Sequence, residues 1–243
     1  MIDPVSGEHV NDPPRNGPPS ARLPLLSPAS LGAEQQAVYE ALTGGPRMDG
    51  DAAPAAGGDA PPGSRAKARA LGFMDDEGRL LGPFNAMLYS PAVGMPLQDL
   101  GAALRFRTAF TKREREIATL VVAAHVRSDY EWYAHERLGR RAGLREDELD
   151  ALREGRAPML ADARERLVHE AARQLVAEND LADAVYTEAV ATLGRPALVE
   201  LVTLVGYYAA LATQLRVFRV GVPDGEPAPH WPEPAAGGRA PDE

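Results

Sequence analysis

Apolar residues recur with a helical period along most of this chain, between stretches that have no period at all. Thr111 is followed three residues later by Glu114, the pairing that caps a helix start. Ile117, Leu120, Val121 and Ala124 then form one apolar stripe. The stripe breaks near Arg127 and Ser128. A second helix is predicted through Trp132, His135 and Leu138, with Gly143 as its stop. Residues 147–153 and 162–177 follow as helices. Asp180 is placed to cap a helix ending at Gly194. Pro196 fits the first position of the last and most apolar helix, which runs toward Phe218. No segment alternates with period two between hairpin turns, so no sheet is predicted. The expected fold class is an all-α bundle.

The aperiodic stretches set the domain plan. Residues 1–69 read as a mostly disordered, low-complexity arm, with one short helix near 34–42. The segment 44–63, rich in Gly, Pro and Ala, reads as a flexible insertion. Residues 70–222 form the helical domain, and 223–243 a flexible tail. Met1 to Asn16 lacks an apolar core of the kind a secretory signal has, so a cytoplasmic location is expected. The run from Ala197 to Thr213 is slightly short for a membrane span and contains Glu200. It reads as a helix buried in a core or an oligomer interface.

Charge and composition exclude whole classes of function. The net charge is −9, which disfavours nucleic acid and anionic membrane as partners. There is no cysteine. Disulfides, thiolate nucleophiles, zinc–sulfur sites and iron–sulfur clusters are therefore excluded. Lys67 and Lys112 are the only lysines among 26 basic residues. The rest are arginines, whose planar fork suits carboxylates.

Candidate chemistry gathers on the predicted second helix. Ser128, Glu131 and His135 are spaced i, i+3, i+7 and share one face. Glu131 and His135 are one turn apart, a pairing that can fix an imidazole tautomer or raise its pKa. Ser128 and Glu131 also match a capping box, and both readings stay open. Glu116 on the preceding helix reaches the same face if the two helices fold back near Arg127. Two carboxylates and an imidazole suit several divalent ions, but there is no HExxH or second paired histidine, and no metal is expected. Glu114 is assigned to the Thr111 cap, His125 to packing and His169 to a structural place on a helix surface.

The run TAFTKREREIATLVVAAHVRSDYEWYAHERLGRRAGL, with GPFNAMLYSP upstream and LVELVTLVGYYAALATQLRVF downstream, resembles the carboxymuconolactone decarboxylase-like family. That family includes the alkylhydroperoxidase D group, and the resemblance spans about residues 70 to 222. It implies an alkylhydroperoxidase D-like helical bundle assembled as a homo-oligomer, a trimer or hexamer. In the thiol peroxidase branch a glutamate precedes a CxxC, and a histidine follows it. Glu116 and His135 match that glutamate and histidine, while Ser128 and Glu131 stand where the cysteines would be. Thiol peroxidase chemistry is thereby removed. The decarboxylase branch, which works by acid–base chemistry without a cofactor, is the closer counterpart. The resemblance implies His135 as proton donor or acceptor, assisted by Glu116 and Glu131, acting on a small carboxylated substrate of lactone-like or β-keto type. Another acid–base reaction (isomerisation, dehydration or cyclisation) and a non-catalytic scaffold are the alternatives. Asn85 is a candidate to bind a substrate oxygen or else a turn residue. Tyr89, Ser128, Tyr130 and Trp132 are candidates to line a pocket.

Overall fold

The computed structural model describes residues 21–44 and 72–232. The expected disorder of residues 1–20, 45–71 and 233–243 lies outside them. Nine α-helices are present among the described residues: α1 (Ala33–Thr43), α2 (Pro83–Tyr89), α3 (Pro91–Phe106), α4 (Lys112–Val126), α5 (Asp129–Ala142), α6 (Glu146–Arg153), α7 (Ala163–Glu178), α8 (Asp183–Thr192) and α9 (Gly194–Val217). There is one isolated β-bridge, Met74 to Leu80, and no strand among the described residues. The described residues have the all-α architecture expected.

Helix α4 is the axis of the bundle. Every residue from Glu114 to Ala123 is buried, because α5, α6, α7 and α9 surround it. Ile117, Ala118, Leu120, Val122 and Ala123 have no exposed surface. Each large apolar side chain buried this way contributes about 1.5–3 kcal/mol. Helix α9 adds Leu201, Leu204 and Leu211 to the same core. It is long and apolar enough to cross a membrane, but one face is committed to this core.

The predicted start of α4 is observed in full. Glu114 N–H donates to Thr111 Oγ1 at 3.1 Å, and Thr111 N–H donates to Glu114 Oε2 at 2.8 Å. Helix α4 ends at Arg127, whose backbone is left-handed (φ 51°, ψ 53°). Ser128 N–H then donates to the Ala123 carbonyl at 2.9 Å, a closure that reverses the chain. Helix α5 begins at once and folds back along α4.

Three expected boundaries shift. Helix α8 starts at Asp183, not after Asp180, because Gln174 Oε1 accepts the Ala182 N–H and holds the preceding residues extended. Helix α9 starts at Gly194, two residues before Pro196. Residues 21–44 and 223–232, which composition assigns to the arm and tail, are seated on the helices. Val38, Tyr39 and Leu42 enter the core, and Trp231 stacks edge-on against Trp132 with ring centres 5.6 Å apart.

Candidate active site

The reversal at Arg127 brings together residues 19 apart in sequence. His135 Nδ1 lies 2.7 Å from Glu116 Oε2. Both are buried, Glu116 at 2% exposure. Arg105 of α3 lies 3.8 Å from the other oxygen of Glu116, and Arg115 Nε lies 3.9 Å from it. Burial opposes ionisation of Glu116. The charge and hydrogen bond of His135, with Arg105 and Arg115 beyond, outweigh burial and hold the carboxyl below its ordinary value. An ionised Glu116 accepts the Nδ1–H of His135 and leaves Nε2 as the ring's free nitrogen.

Glu131 does not make the pairing with His135 that its spacing allows. Neither of its oxygens has a hydrogen-bond partner among the described residues. Burial pushes its pKa up to about 8, and the nearby Ser128 hydroxyl opposes this only in part. At neutral pH burial favours the carboxylic acid form of Glu131. Ser128 is the N-cap residue of α5, but its side chain makes no cap bond. The capping-box reading of Ser128 and Glu131 fails for that reason.

Glu131, His135 and Arg105 line one small cavity with Tyr207, Tyr208 and Phe84. Its volume is about 30 Å³, close to the share of one water molecule. The Tyr208 ring meets His135 edge-on at 4.9 Å. Phe73, from the segment 72–82, lines the cavity and meets Phe84 edge-on at 5.3 Å. Two glycines allow its close approach. Gly82 has φ 63°, and a Cβ there would fall 2.1 Å from the Tyr130 ring. Gly72 has φ 72°, and a Cβ would fall 2.6 Å from Tyr133.

The other candidates divide. Tyr130 lines the cavity with its ring, while its hydroxyl donates to the Gly72 carbonyl at 2.7 Å. Asn85 is not at the cavity. Its Oδ1 accepts the Leu26 N–H and its Nδ2 donates to the Pro24 carbonyl, so it clamps the segment before α1. Tyr89 donates to the same Pro24 carbonyl at 2.7 Å and is likewise a clamp. Trp132 is a core residue at 1% exposure. His125 is exposed on α4 rather than packed. His169 is buried rather than on the surface, and burial lowers its pKa. Sequence reasoning missed Arg105, Tyr207 and Tyr208 at the cavity. Tyr208 carried a faint signal, an aromatic pair inside an apolar helix, whereas Arg105 is one arginine among many.

Residues 91–174 match the profile of the carboxymuconolactone decarboxylase family. The stretch contains α4, α5, Glu116, Glu131 and His135. The matched stretch contains no cysteine. The fold agrees with the match. The crystal structure of an alkylhydroperoxidase AhpD core, an uncharacterized peroxidase-related protein from Ralstonia eutropha JMP134, superposes with a TM-score of 0.60. The match covers 85% of this chain and 94% of that one, at 16% identity. No curated protein matches the chain. The family includes decarboxylases and peroxidase-related proteins, and this chain has no cysteine for thiol chemistry.

Proposed function

We propose that the chain is a cofactor-independent acid–base enzyme acting on a small carboxylated substrate. The observation that carries this is the pairing of an ionised, buried Glu116 with His135, beside a Glu131 kept protonated at neutral pH. Two carboxyls in one site with pKa values driven apart are the arrangement that separates proton donor from proton acceptor. Decarboxylation of a lactone-like or β-keto-type acid fits this set. The bond to the carboxylate breaks, its electron pair passes into the adjoining conjugated carbonyl, and carbon dioxide leaves. A proton from His135 then restores the carbon, with Glu116 orienting the ring and Glu131 able to resupply the proton. Arg105 stands where it would stabilise the developing negative charge.

The cavity as it stands holds about one water, so a ring-sized substrate enters only as the 72–82 segment and Phe73 move aside. The same small volume favours a second reading, a non-catalytic binding or scaffold role for this fold. Isomerisation, dehydration or ring closure would use the same residues. The outer face of α9, where Val199, Val202 and Val217 are exposed, is expected to be covered in a cytoplasmic homo-oligomer, a trimer or hexamer.

The test is carbon dioxide release from a panel of small carboxylated lactones and β-keto acids. His135→Ala and Glu116→Ala should lower turnover by roughly 10²–10⁴. Wild-type turnover in both folded variants would remove this site from the reaction. Solvent deuterium uptake into substrate without carbon dioxide would assign isomerisation instead.

A further inference from the structure

Three non-glycine residues among those described have a left-handed backbone: Arg127 (φ 51°), Asn179 (φ 56°) and Arg219 (φ 53°). Asparagine is at home in that region, but an arginine there is less stable than a glycine would be. Both arginines line one pocket of about 350 Å³, and Arg216 lines it with them. Elsewhere Arg113, Arg140, Arg164 and Arg173 each meet a carboxylate. These three meet none among the described residues. Arg127 donates to the Pro232 carbonyl at 3.0 Å, and Arg216 donates to the Val126 carbonyl. The Arg219 guanidinium has no hydrogen bond among the described residues. The one acid on the pocket wall, Asp129, is engaged by Trp231 Nε1 at 2.7 Å. The pocket also includes Ser128 at the N-terminus of α5, whose first-turn amides and dipole favour an anion.

The position of this pocket links it to the cavity that holds His135. On α5, Ser128 lines the arginine pocket and Glu131, three residues on, lines the cavity. On α9, Leu215 lines the pocket and Leu211, four residues back, lines the cavity. The two hollows are therefore stacked about one helical turn apart, roughly 5 Å, along the same pair of helices.

We infer that the pocket of Arg127, Arg216 and Arg219 binds the oxyanion group, carboxylate or phosphate, of a small ligand. That group anchors the substrate while its reacting end reaches Glu131 and His135. The anchoring role rests on the acid–base reading above, whereas the binding itself does not.

The left-handed backbone supplies a clean test. In Arg127→Gly and Arg219→Gly the new residue adopts the same φ without strain, so both variants should keep or raise the melting temperature. The full chain is titrated calorimetrically at low salt with inorganic phosphate and, separately, with succinate. Wild type should bind, and each variant should bind about tenfold or more weakly. Tighter binding of succinate assigns a carboxylate, and tighter binding of phosphate a phosphate ester. Absence of binding by both anions, or wild-type affinity in both glycine variants, overturns the proposal. His135→Ala should bind succinate as wild type does. If its turnover is also unchanged, the acid–base reading fails while the anion pocket stands.

Discussion

Two groups of buried carboxylates meet the first two turns of α4, and they are treated in opposite ways. In the first, every acid has a guanidinium. Glu114 meets Arg164 at 2.5 Å. Glu165 meets Arg113 at 2.7 Å. Glu148, with no exposed side-chain surface, meets Arg113 at 3.2 Å and Arg145 at 2.7 Å. In the second, Glu116 is bonded to an imidazole, with Arg105 and Arg115 beyond it at 3.8 and 3.9 Å, and Glu131 meets no cation among the described residues. The first group is a set of fixed charges that ties α4 to α6 and α7. The second sets a Glu116 held below its ordinary pKa by His135 and two arginines beside a Glu131 that burial pushes up to about 8. Buried charge alone does not mark a site; a buried acid left without a cation does.

This contrast can be broken from either side. Arg113→Ala should have the largest effect, since it strips one acid of its cation and weakens the compensation of another. A loss of about 3–5 kcal/mol is expected, read by urea unfolding at pH 7. A loss under 1 kcal/mol would mean the cluster is not a fixed-charge tie.

The second effect is in pH. The Glu131 pKa is raised from its ordinary 4.5 to about 8. Between those values the folded chain holds a proton that the unfolded chain lacks, so its stabilising contribution is complete below about 4.5 and is lost as pH rises through 8. From pH 6 to pH 8 this amounts to about 2 kcal/mol. Glu131→Gln should flatten that slope. Equal slopes in wild type and Glu131→Gln would place Glu131 in a solvated setting.

The smallest effect belongs to the cap. Thr111→Ala removes one hydrogen bond from the start of α4 and should cost about 1 kcal/mol. It should leave the pH slope unchanged, since Glu131 is on another helix.

What the sequence revealed follows the range of the interactions involved. The Thr111 and Glu114 cap and the Gly143 stop are short-range features, readable from neighbouring residues. The break at Arg127 was visible as an interrupted stripe. The contact it produces, Glu116 to His135, needed the packing of α5 on α4 to become a distance. Glu131 was harder, because its spacing from Ser128 and from His135 offered two local partners and it is hydrogen-bonded to neither among the described residues. Arg105 comes from α3, a helix whose register on α4 no local pattern encodes. Asn85 looked like a substrate ligand because nothing in sequence shows that residues 24–26 return to occupy both its polar atoms.

The turn at Arg127 also sets a rotational phase. Only Arg127 and Ser128 separate α4 from α5, so no slack exists to absorb a change of length. Each residue of an α-helix advances the azimuth by about 100°. Inserting or deleting a single residue at this junction would swing His135 away from Glu116 and present another side of α5 to the cavity. Among chains that keep this chemistry, length variation should collect in other connections and leave the 127–128 junction at two residues.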